Sequence, residues 1–486
     1  MIRSWIVMPL LCALSFVCCS NGDDNGSSGG GGKPAMSLVI ESSDGESVTL
    51  GIKWLNATHV RMVCMATEDK KALTGAEVAA QGTKYAEERV TIGGLTPMTT
   101  YTVFAVACDD AGGCSGMQVV QFVTEYAEPR PYEWESARKG IPSYTDLVLC
   151  YGGSTHRVPF GWDKERFAPF VTYTDEAGKE HWLFDSFLCI EFAMVPYSIN
   201  LGQKRTSGGR KQWQELIDYW FGQDNGVNAL EEAVGEAAAR LGAPAEKRKV
   251  VMVMPDPIIY EEYADMNSST TYWGELNGRW LDFAKASDRI AAYKWYIDSV
   301  RRLFDEADYR YIELAGFYIV SEDLATPGDG WNPELKRWEE VIPEVAEYLH
   351  ALNESLCWIP YNRAAGYRNW KRFGIDYAYM QPNYFWDDKG EKPLSRFFSD
   401  IKANDLAMEF EFDDALLEKT AGSEVYRRRL REYMDGAKEH GIYGRKPLAY
   451  YHGQNTLYEL SVSAAAEDRK LYHEFCRFVL DNPLRK

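Results

Sequence analysis

The sequence predicts a multidomain protein in which an all-β sandwich is followed by an α/β (β/α)8 barrel, the TIM-barrel architecture. The chain has 486 residues, which is more than one hydrophobic core usually serves. Residues 36–127 contain short runs of alternating apolar and polar residues separated by turn signals, the pattern of a β-sandwich. From residue 128 to residue 486, strand-like and helix-like segments alternate, and eight such units in succession indicate a barrel.

The first 19 residues have the composition of an export signal. Arg3 provides a positive charge, and the run from Trp5 to Val17 is almost entirely apolar. That run is too short to cross a membrane comfortably as a mature helix. It resembles a bacterial lipoprotein signal, which implies cleavage before Cys19 and lipid attachment at Cys19; an ordinary secretory signal cut nearby is the alternative. Both interpretations export the protein.

Residues 20–35 are predicted to form a flexible tether. The segment from Ser20 to Pro34 is rich in Gly and Ser and offers no apolar side chain to bury. Its acidic residues, close to Cys19, resemble the surface-export signal of lipoproteins in bacterial outer membranes. The resemblance implies a protein that is lipid-anchored in the outer membrane and faces the exterior of the cell.

Charge and composition limit the possible ligands. Lys and Arg total 53 against 72 Asp and Glu, a formal net charge of -19, which argues against binding to nucleic acid or to an anionic membrane surface. Aromatic residues make up 14% of the chain, and their faces suit ligands such as sugars. The seven histidines are scattered and no HExxH motif occurs, so no metal site is predicted, although a calcium site built from acidic loops stays open.

The first folded module is predicted to be the β-sandwich. Its segment GLTPMTTYTVFAVA, from Gly94 to Ala107, resembles the fibronectin type III family, in which a Leu-x-Pro-x-Thr-x-Tyr pattern builds a tyrosine corner, here at Tyr101. Trp54 stands where that family carries its core tryptophan. Cys108 and Cys114 flank the turn-like DDAGG, so a hairpin disulfide is expected in an oxidising compartment. We expect the module to act as a spacer, because its fold alone implies no activity.

The second module is predicted to be the barrel. Eight segments have strand character: Asp146–Gly153, Trp182–Ala193, Lys249–Pro257, Tyr311–Asp323, Ser355–Tyr361, Asp376–Trp386, Asp405–Asp414 and Lys446–Asn455. A doubly wound open sheet is the structural alternative. The turn after the first strand, YGGST, lacks the glycine spacing of a phosphate-binding loop, which favours the barrel. No cofactor is expected.

The seventh strand carries acidic residues at alternate positions. In LAMEFEFDD, Glu409, Glu411 and Asp413 share one face because successive side chains of a strand point in opposite directions. Phe410 and Phe412 share the other face. In a barrel the acidic face would line the interior, where carboxyl groups are costly to bury and mark a site more often than a scaffold.

A second carboxyl group, Glu322, follows the fourth strand. Breaking a glycosidic bond requires two carboxyl groups, one to protonate the leaving oxygen and one to attack or to activate water. The arrangement resembles the large group of (β/α)8 glycosidases with an acid/base after strand four and a nucleophile after strand seven. The resemblance implies that Glu322 is the acid/base and Glu411 the nucleophile of a retaining enzyme. Ser321 stands where this group of enzymes often has Asn before its acid/base. A shift of the seventh strand by one layer would make Glu409 the nucleophile in place of Glu411.

Further polar and aromatic residues at the predicted strand ends suit sugar binding. The substrate-binding candidates are Tyr151, His156, Asp185, Asp256, Tyr361, Asn362, Gln381, Asn383, Tyr384, Trp386, Glu409, Tyr451 and His452. Tyr384 and Trp386, beside Asn383, favour stacking on a sugar. Asp256 lies between two prolines, so a purely structural turn is equally open. His452 is expected to act as a hydrogen-bond group, because no second histidine stands at ligand spacing.

Together the modules resemble a bacterial surface lipoprotein family found among polysaccharide-degrading proteins. The resemblance implies a carbohydrate context without defining the substrate, and other glycan-uptake proteins of the surface are expected as further partners. The predicted function is therefore a glycoside hydrolase acting on a polysaccharide or oligosaccharide at the cell surface. The alternative is a non-catalytic glycan-binding lipoprotein, in which Glu322 or Glu411 could be held in an ion pair with Arg363 or Arg157.

Overall fold

A computed structural model describes residues 32–67, 73–96, 99–124, 140–152, 160–191, 193–194, 197–199, 206–262, 265, 267–324 and 335–485. The predicted signal segment, with Cys19, and His156 lie outside these ranges. The described residues form two compact units. Among them, no helix has both the length and the apolar character needed to cross a membrane.

The N-terminal unit is built from two β-sheets. Its elements are β1 (Ala35–Ser43), β2 (Ser47–Leu55), β3 (His59–Ala66), α1 (Gly75–Gln81), β4 (Thr83–Tyr85), β5 (Arg89–Gly93), β6 (Thr100–Cys108) and β7 (Gln118–Val123). One sheet has the order β1-β2-β5 and the other the order β4-β3-β6-β7. In β2 the alternate residues Val48, Leu50 and Ile52 are buried, as expected for a sheet with one face on a core.

Two expectations for this unit have clear outcomes. A disulfide joins Cys108 to Cys114, as predicted. Trp54, which was expected in the core, is only partly buried. Tyr101 stacks on Phe122 with ring centroids 5.8 Å apart.

The C-terminal unit alternates strands and helices. In chain order its elements are β8 (Asp146–Tyr151), α2 (Lys164–Val171), β9 (Thr172–Thr174), β10 (Glu180–Trp182), β11 (Ser186–Ile190), β12 (Ala193–Met194), β13 (Tyr197–Ser198), α3 (Arg210–Trp220), α4 (Gly226–Leu241), β14 (Arg248–Met254), β15 (Tyr272–Leu276), β16 (Arg279–Asp282), α5 (Ala286–Ala307), β17 (Ile312–Ile319), α6 (Ile342–Ala351), β18 (Ser355–Trp358), β19 (Tyr377–Met380), α7 (Leu394–Ala403), β20 (Ala407–Glu411), α8 (Ser423–Glu439), β21 (Leu448–Tyr451), α9 (Thr456–Val462) and α10 (Ala466–Leu480). Short 3-10 helices span Leu335–Glu340, Trp370–Phe373 and Asp414–Leu416.

Eight of these strands close into a parallel barrel. Their order around the barrel is β8, β11, β14, β17, β18, β19, β20 and β21, which is also their order along the chain. Each lies inside one of the eight predicted segments, apart from β14, which begins one residue earlier. The predicted barrel is therefore confirmed, and the doubly wound alternative is excluded.

The faces of β20 follow the predicted alternation. Phe410 packs on Tyr433 of α8 and on Phe478 of α10, with ring centroids 5.9 and 5.2 Å away. It therefore points into the layer of helices. Glu409 and Glu411, on the opposite face, point into the barrel.

A β-bulge in β17 decides which of its residues enter the barrel. Val250 pairs with Leu314, but Val251 pairs with Gly316, so Ala315 is an extra residue in the ladder. After this extra residue, the positions of β17 that would otherwise face the helices face the barrel interior, and the reverse. As a result Tyr318 faces the interior, where burial raises the pKa of its phenol and the nearby carboxyl groups of Glu322 and Glu409 raise it further.

Asp146 is fully buried at the N-terminal end of the barrel. Its carboxyl group accepts hydrogen bonds from the Tyr450 hydroxyl at 2.7 Å and from Arg485 at 3.1 Å. Burial raises the pKa of Asp146 to about 7, and the charge of Asp185 raises it while Arg485 opposes the change. The folded protein therefore holds a neutral carboxyl group here at mildly acidic pH, where an unfolded chain would already be ionised.

This buried acid makes stability depend on pH. Because the pKa is higher in the folded protein, its contribution is fully present below the ordinary aspartate range and is lost as the pH rises through about 7. Between these limits we expect the free energy of unfolding to fall by up to about 1.4 kcal/mol per pH unit from this group. Urea denaturation at pH 4.5 to 7.5 should show a shallower decline in Asp146→Asn. The exposed Asp305→Asn should behave like the wild type, and an equal slope in all three proteins would refute the prediction.

Candidate active site

Acidic and amide side chains meet at the C-terminal mouth of the barrel. Glu411 is the last residue of β20, Gln381 directly follows β19, and Glu322 lies three residues beyond β17. The carboxyl ends of parallel barrel strands open at the same mouth, which is where barrel enzymes carry their catalytic groups.

Two amides connect the two carboxyl groups. Gln381 Nε2 donates a hydrogen bond to Glu322 Oε1 at 2.7 Å, and Gln381 Oε1 accepts one from Asn383 Nδ2 at 3.2 Å. Asn383 Nδ2 also donates to Glu411 Oε1 at 3.1 Å, while the main-chain N–H of Asn383 donates to Glu411 Oε2 at 2.5 Å. Gln381 and Asn383 thus form an amide bridge between Glu322 and Glu411.

The loops after β18 and β19 hold this bridge in place. Asn383 has a φ of +52°, a left-handed conformation that Asn adopts more readily than most residues. The main-chain N–H of Asn362 donates to Asn383 Oδ1 at 2.9 Å, and Asn362 Nδ2 donates to the carbonyl of Pro382 at 2.8 Å. Asn362 therefore positions the bridge rather than extending it.

Glu411 lies in an environment that disfavours its charge. Its side chain is 3% exposed, and this burial is the main cause that raises its pKa to about 8. The charge of Glu322 also raises the pKa, whereas the two donors of Asn383 and the charge of Lys392 lower it. Repulsion between the two carboxylates therefore favours a state in which the pair retains one proton near neutral pH.

The electrostatic contact between the two glutamates can be measured directly. In Glu322→Gln the negative charge is absent, so we expect the pKa of Glu411 to fall. Titration of the glutamate side-chain carboxyl signals by 13C NMR reports that pKa. The exposed Glu424→Gln serves as the control, and a pKa of Glu411 that is unchanged in Glu322→Gln would show that the carboxyl groups do not face each other.

Aromatic side chains form a row beside the acids. Tyr151, at the end of β8, meets Tyr451, at the end of β21, edge to face with centroids 5.6 Å apart. Trp386 meets Tyr451 in the same manner at 6.1 Å and donates from Nε1 to Asp413 Oδ2 at 2.9 Å. Trp386 is 40% exposed, so the row runs from the barrel interior to the solvent.

Tyr361 adds a further ring on the side of Glu322. Burial raises the pKa of Tyr361 to about 12, and the charges of Asp323 and Glu322 contribute to the increase. Asp323 itself accepts a hydrogen bond from the main-chain N–H of Ala365 at 2.7 Å. It holds a loop, which leaves Glu322 as the acid directed to the mouth.

Glu409 lies one layer below Glu411. It is buried, and its charge raises the pKa of both Tyr318 and Cys357. The hydrogen bonds from Asn383 go to Glu411 and not to Glu409. The amide bridge therefore connects Glu322 with Glu411 and not with Glu409.

Two sequence predictions are corrected because the side chains leave the mouth. Asp185 precedes β11 and accepts the main-chain N–H groups of Thr145 and Asp146, each at 2.8 Å, which places it at the opposite end of the barrel. His452 lies between Phe170 and Phe412, with centroids 5.1 and 6.5 Å away, in the layer of helices. Burial lowers the pKa of His452 to about 4, so it is neutral.

Two more candidates turn toward helices. The hydroxyl of Tyr384 donates to Glu432 of α8 at 2.7 Å, and its ring packs on Tyr433 at 5.9 Å. Asp256 is buried beyond β14, and its charge raises the pKa of Tyr293 in α5. Tyr384 anchors its loop to α8, and Asp256 lies near Tyr293 of α5, so neither contact places its residue with Glu411.

The structure adds two residues to the site that the sequence analysis did not select. Tyr318 enters the interior only because of the bulge at Ala315, and Lys392 acts on Glu411 from the loop before α7. No sequence pattern comparable to the alternation in LAMEFEFDD marks Tyr318 or Lys392 as a site residue. Within the described residues, no group of three or more His, Cys, Asp or Glu side chains is arranged to hold a metal ion.

Comparison with known structures gives short overlaps. Chitinase ChiA74 from Bacillus thuringiensis is 21% identical over 18% of this chain and 12% of its own, with a TM-score of 0.14. The fn3 domain of the human collagen alpha-1(XX) chain is 21% identical over 22% of this chain and 95% of its own, with a TM-score of 0.17. FN3tt mut is 17% identical over 18% and 89%, with a TM-score of 0.15. This chain thus spans about an eighth of the chitinase, and likenesses of this extent do not bear on activity.

Sequence comparison assigns the barrel to a family. No curated protein is significantly similar to this chain. The model of the family described as domain of unknown function, DUF4855, matches residues 146–477, from the first barrel strand into the last helix. Because this match covers more than half of the sequence, the chain belongs to the DUF4855 family.

Proposed function

We propose that the barrel is a glycoside hydrolase that cleaves a polysaccharide or oligosaccharide with retention of configuration. The observation that carries the proposal is the pair Glu322 and Glu411, joined by the amide bridge at the barrel mouth. Two carboxyl groups that face each other across a cleft are what glycosidic cleavage requires. The aromatic row beside them offers the apolar faces on which sugar rings stack.

Glu411 is assigned as the nucleophile. Both of its oxygens accept hydrogen bonds from Asn383, and donors directed at both oxygens favour the ionised form that attacks the anomeric carbon. When the proton shared by the pair resides on Glu322, one of the causes that raise the pKa of Glu411 is absent, while burial, the main cause, remains and is opposed by the two donors of Asn383 and the charge of Lys392. The proposed reactive state is neutral Glu322 with ionised Glu411.

Glu322 is assigned as the acid and base. It is exposed at the mouth, where a leaving sugar can depart and where a proton can be exchanged with water. In the first step it protonates the glycosidic oxygen while Glu411 forms the bond to the sugar. In the second step it removes a proton from a water molecule whose oxygen bonds to the anomeric carbon, so that the bond to Glu411 breaks and leaves Glu411 as a carboxylate and Glu322 protonated again.

A glycan-binding protein without activity is the competing proposal. In such a protein the acids could be neutralised by cations, and Arg363 was a candidate cation. Arg363 instead pairs with Asp400 at 3.6 Å, while Glu411 receives the donors of Asn383. Arg157, the other candidate cation, lies outside the described residues. The contacts of Arg363 and Glu411 support the hydrolase.

The proposed location is the cell surface. The export-like segment ending at Cys19 and the Gly/Ser-rich tether support a lipid anchor in the outer membrane. The two-sheet N-terminal unit, with the motif around Tyr101, supports a fibronectin type III-like spacer. Other surface glycan-uptake proteins are the proposed partners.

The test is reducing-sugar release from a panel of plant, algal and host polysaccharides. The wild type should release sugar from at least one polymer, and 1H NMR of the fresh product should show the anomer of the substrate. Glu322→Gln and Glu411→Gln should release none. A protein that binds a polymer without cleaving any of the panel would favour the binding protein, and a product of inverted configuration would remove the nucleophile role from Glu411.

A further inference from the structure

Two large aromatic side chains are exposed on a hairpin that the proposed chemistry does not use. Strands β15 and β16 pair in an antiparallel hairpin between β14 and α5. Tyr272 is 62% exposed and Trp280 is 61% exposed, more than any other aromatic side chain in the described part of the chain. Exposed apolar residues are informative when they form one patch, because such patches mark interaction sites.

The register places both rings on one face of the hairpin. Tyr272 pairs with Asp282 and Trp280 pairs with Glu275, and an irregularity at Trp273 separates the two pairs. Residues 280 and 282 share a face because they are two apart on a strand. Tyr272 and Trp280 are therefore diagonal neighbours, roughly 7–8 Å apart along the surface. We call this face, formed by Tyr272, Trp280, Glu275 and Asp282, the aromatic platform.

The other face of the hairpin fixes the platform rigidly. Trp273 is buried between Trp213 of α3 and Trp295 of α5, with centroids 5.3 and 5.2 Å away. Arg279 donates to the buried Asp288 of α5 at 2.6 Å. The backbone that carries the two rings would thus be held in place before the ligand arrives, which reduces the entropy lost on binding.

The two-residue turn of the hairpin adds to this rigidity. Asn277 and Gly278 both have positive φ, 52° and 72°, as a tight type I′ turn requires. The main-chain N–H of Asp282 donates to Asp288 Oδ2 at 2.8 Å, which fixes the outgoing strand to the start of α5. The hairpin is anchored at its base and closed tightly at its tip.

The position of the hairpin relates the platform to the active site. It lies in the connection after barrel strand β14 and before α5, and such connections open at the C-terminal mouth. Glu322 and Glu411 occupy the same mouth. A long chain held at the platform can therefore continue toward the two acids on the same side of the barrel.

We propose that the aromatic platform is a distal binding site for an extended, uncharged polysaccharide chain. Each ring offers a flat apolar face to a sugar ring, and Glu275, directly across the hairpin from Trp280, can accept hydrogen bonds from sugar hydroxyls. Asp282, across from Tyr272, already accepts the main-chain N–H of Ala284 at 2.9 Å and lies 3.8 Å from Lys285. Glu275 and the net charge of -19 repel uronic acid or sulfated chains, so the expected ligand is neutral. The proposal rests on the proposed function for its choice of a glycan, and it makes long chains the preferred substrates.

Binding to neutral polysaccharides tests the platform without requiring cleavage. We would measure retardation of the Glu411→Gln protein in native gels that contain a soluble β-glucan, xylan, mannan or starch, with polygalacturonate as the acidic probe. We expect retardation by one of the neutral polymers and none by polygalacturonate. In that background Trp280→Ala and Tyr272→Ala should each weaken binding about tenfold, and Trp280→Phe should keep most of it.

Controls separate the possible failures. The exposed Val462→Ala should leave binding unchanged, and near-UV circular dichroism confirms the fold of each variant. Binding that is insensitive to both aromatic substitutions overturns the platform even if the wild type hydrolyses glycans. A protein that cleaves nothing but loses binding in Trp280→Ala overturns the hydrolase and supports the platform. A wild-type dimer in sedimentation velocity that becomes monomeric in Trp280→Ala would identify a second copy as the occupant and overturn the proposal.

Discussion

Replacement of Glu411 by Gln is expected to lower the rate of glycoside cleavage by roughly 10³-fold or more. The substitution removes the nucleophile while keeping the shape of the side chain and a carbonyl oxygen that can still accept from Asn383. Binding of the substrate should therefore be retained. Initial rates of reducing-sugar release, together with the binding assay, give both quantities, and the exposed Glu424→Gln is the matched control.

Chemical rescue distinguishes the two acids. With azide present, Glu411→Ala should form a glycosyl azide of inverted configuration, because azide occupies the space of the missing nucleophile. Glu322→Ala, with the nucleophile intact, should form a glycosyl azide of retained configuration. The opposite outcome would exchange the assigned roles, and full activity of Glu411→Gln would exclude this residue from the chemistry.

Gly316→Ala is expected to destabilise the barrel by more than about 4 kcal/mol. A Cβ atom at Gly316 would lie 2.0 Å from the hydroxyl oxygen of Ser355 and 2.3 Å from its carbonyl oxygen. The carbonyl belongs to the neighbouring strand, so relief requires the two strands to separate. We expect a large loss of soluble protein and a much lower urea midpoint.

Two further variants locate the cause of this loss. Gly222→Ala should be close to neutral, because its added Cβ would make only ordinary contacts at 3.5 Å. Ser355→Ala combined with Gly316→Ala should remain unstable, because the carbonyl clash persists. Recovery of stability in the double variant would show that the hydroxyl alone restricts the site, and a stable Gly316→Ala would contradict the tight packing beside the bulge.

The alternating pattern of the seventh strand was predictable because it depends on one strand alone. Glu409 and Glu411 face the barrel and Phe410 faces the helices, as the period of two requires. The same rule explains why Tyr451 and His452 could not both line the mouth. They are neighbours on one strand end, and once Tyr451 joins the aromatic row, His452 must face the helices.

Other features depend on pairing between strands and were not readable from the sequence. The extra residue at Ala315 becomes visible only in the register with β14, yet it brings Tyr318 to the interior. Asp185 was counted among the strand ends at the mouth, whereas β11 begins after it, at Ser186, so it lies at the opposite end of the barrel. Boundaries of a few residues thus decided which end of the barrel a side chain occupies.

The lengths of the two side chains in the amide bridge also bear on the distance between Glu322 and Glu411. Gln381 and Asn383 are neutral, so they set the spacing of the two acids without adding charge. Retaining glycosidases separate their carboxyl groups by about 5–5.5 Å and inverting ones by about 6.5–9.5 Å. The gap between these two ranges is close to the length that one methylene group adds to a side chain. Gln and Asn differ by one methylene group, so the lengths of these two amides can determine whether water fits between the acids and hence which anomer leaves the enzyme.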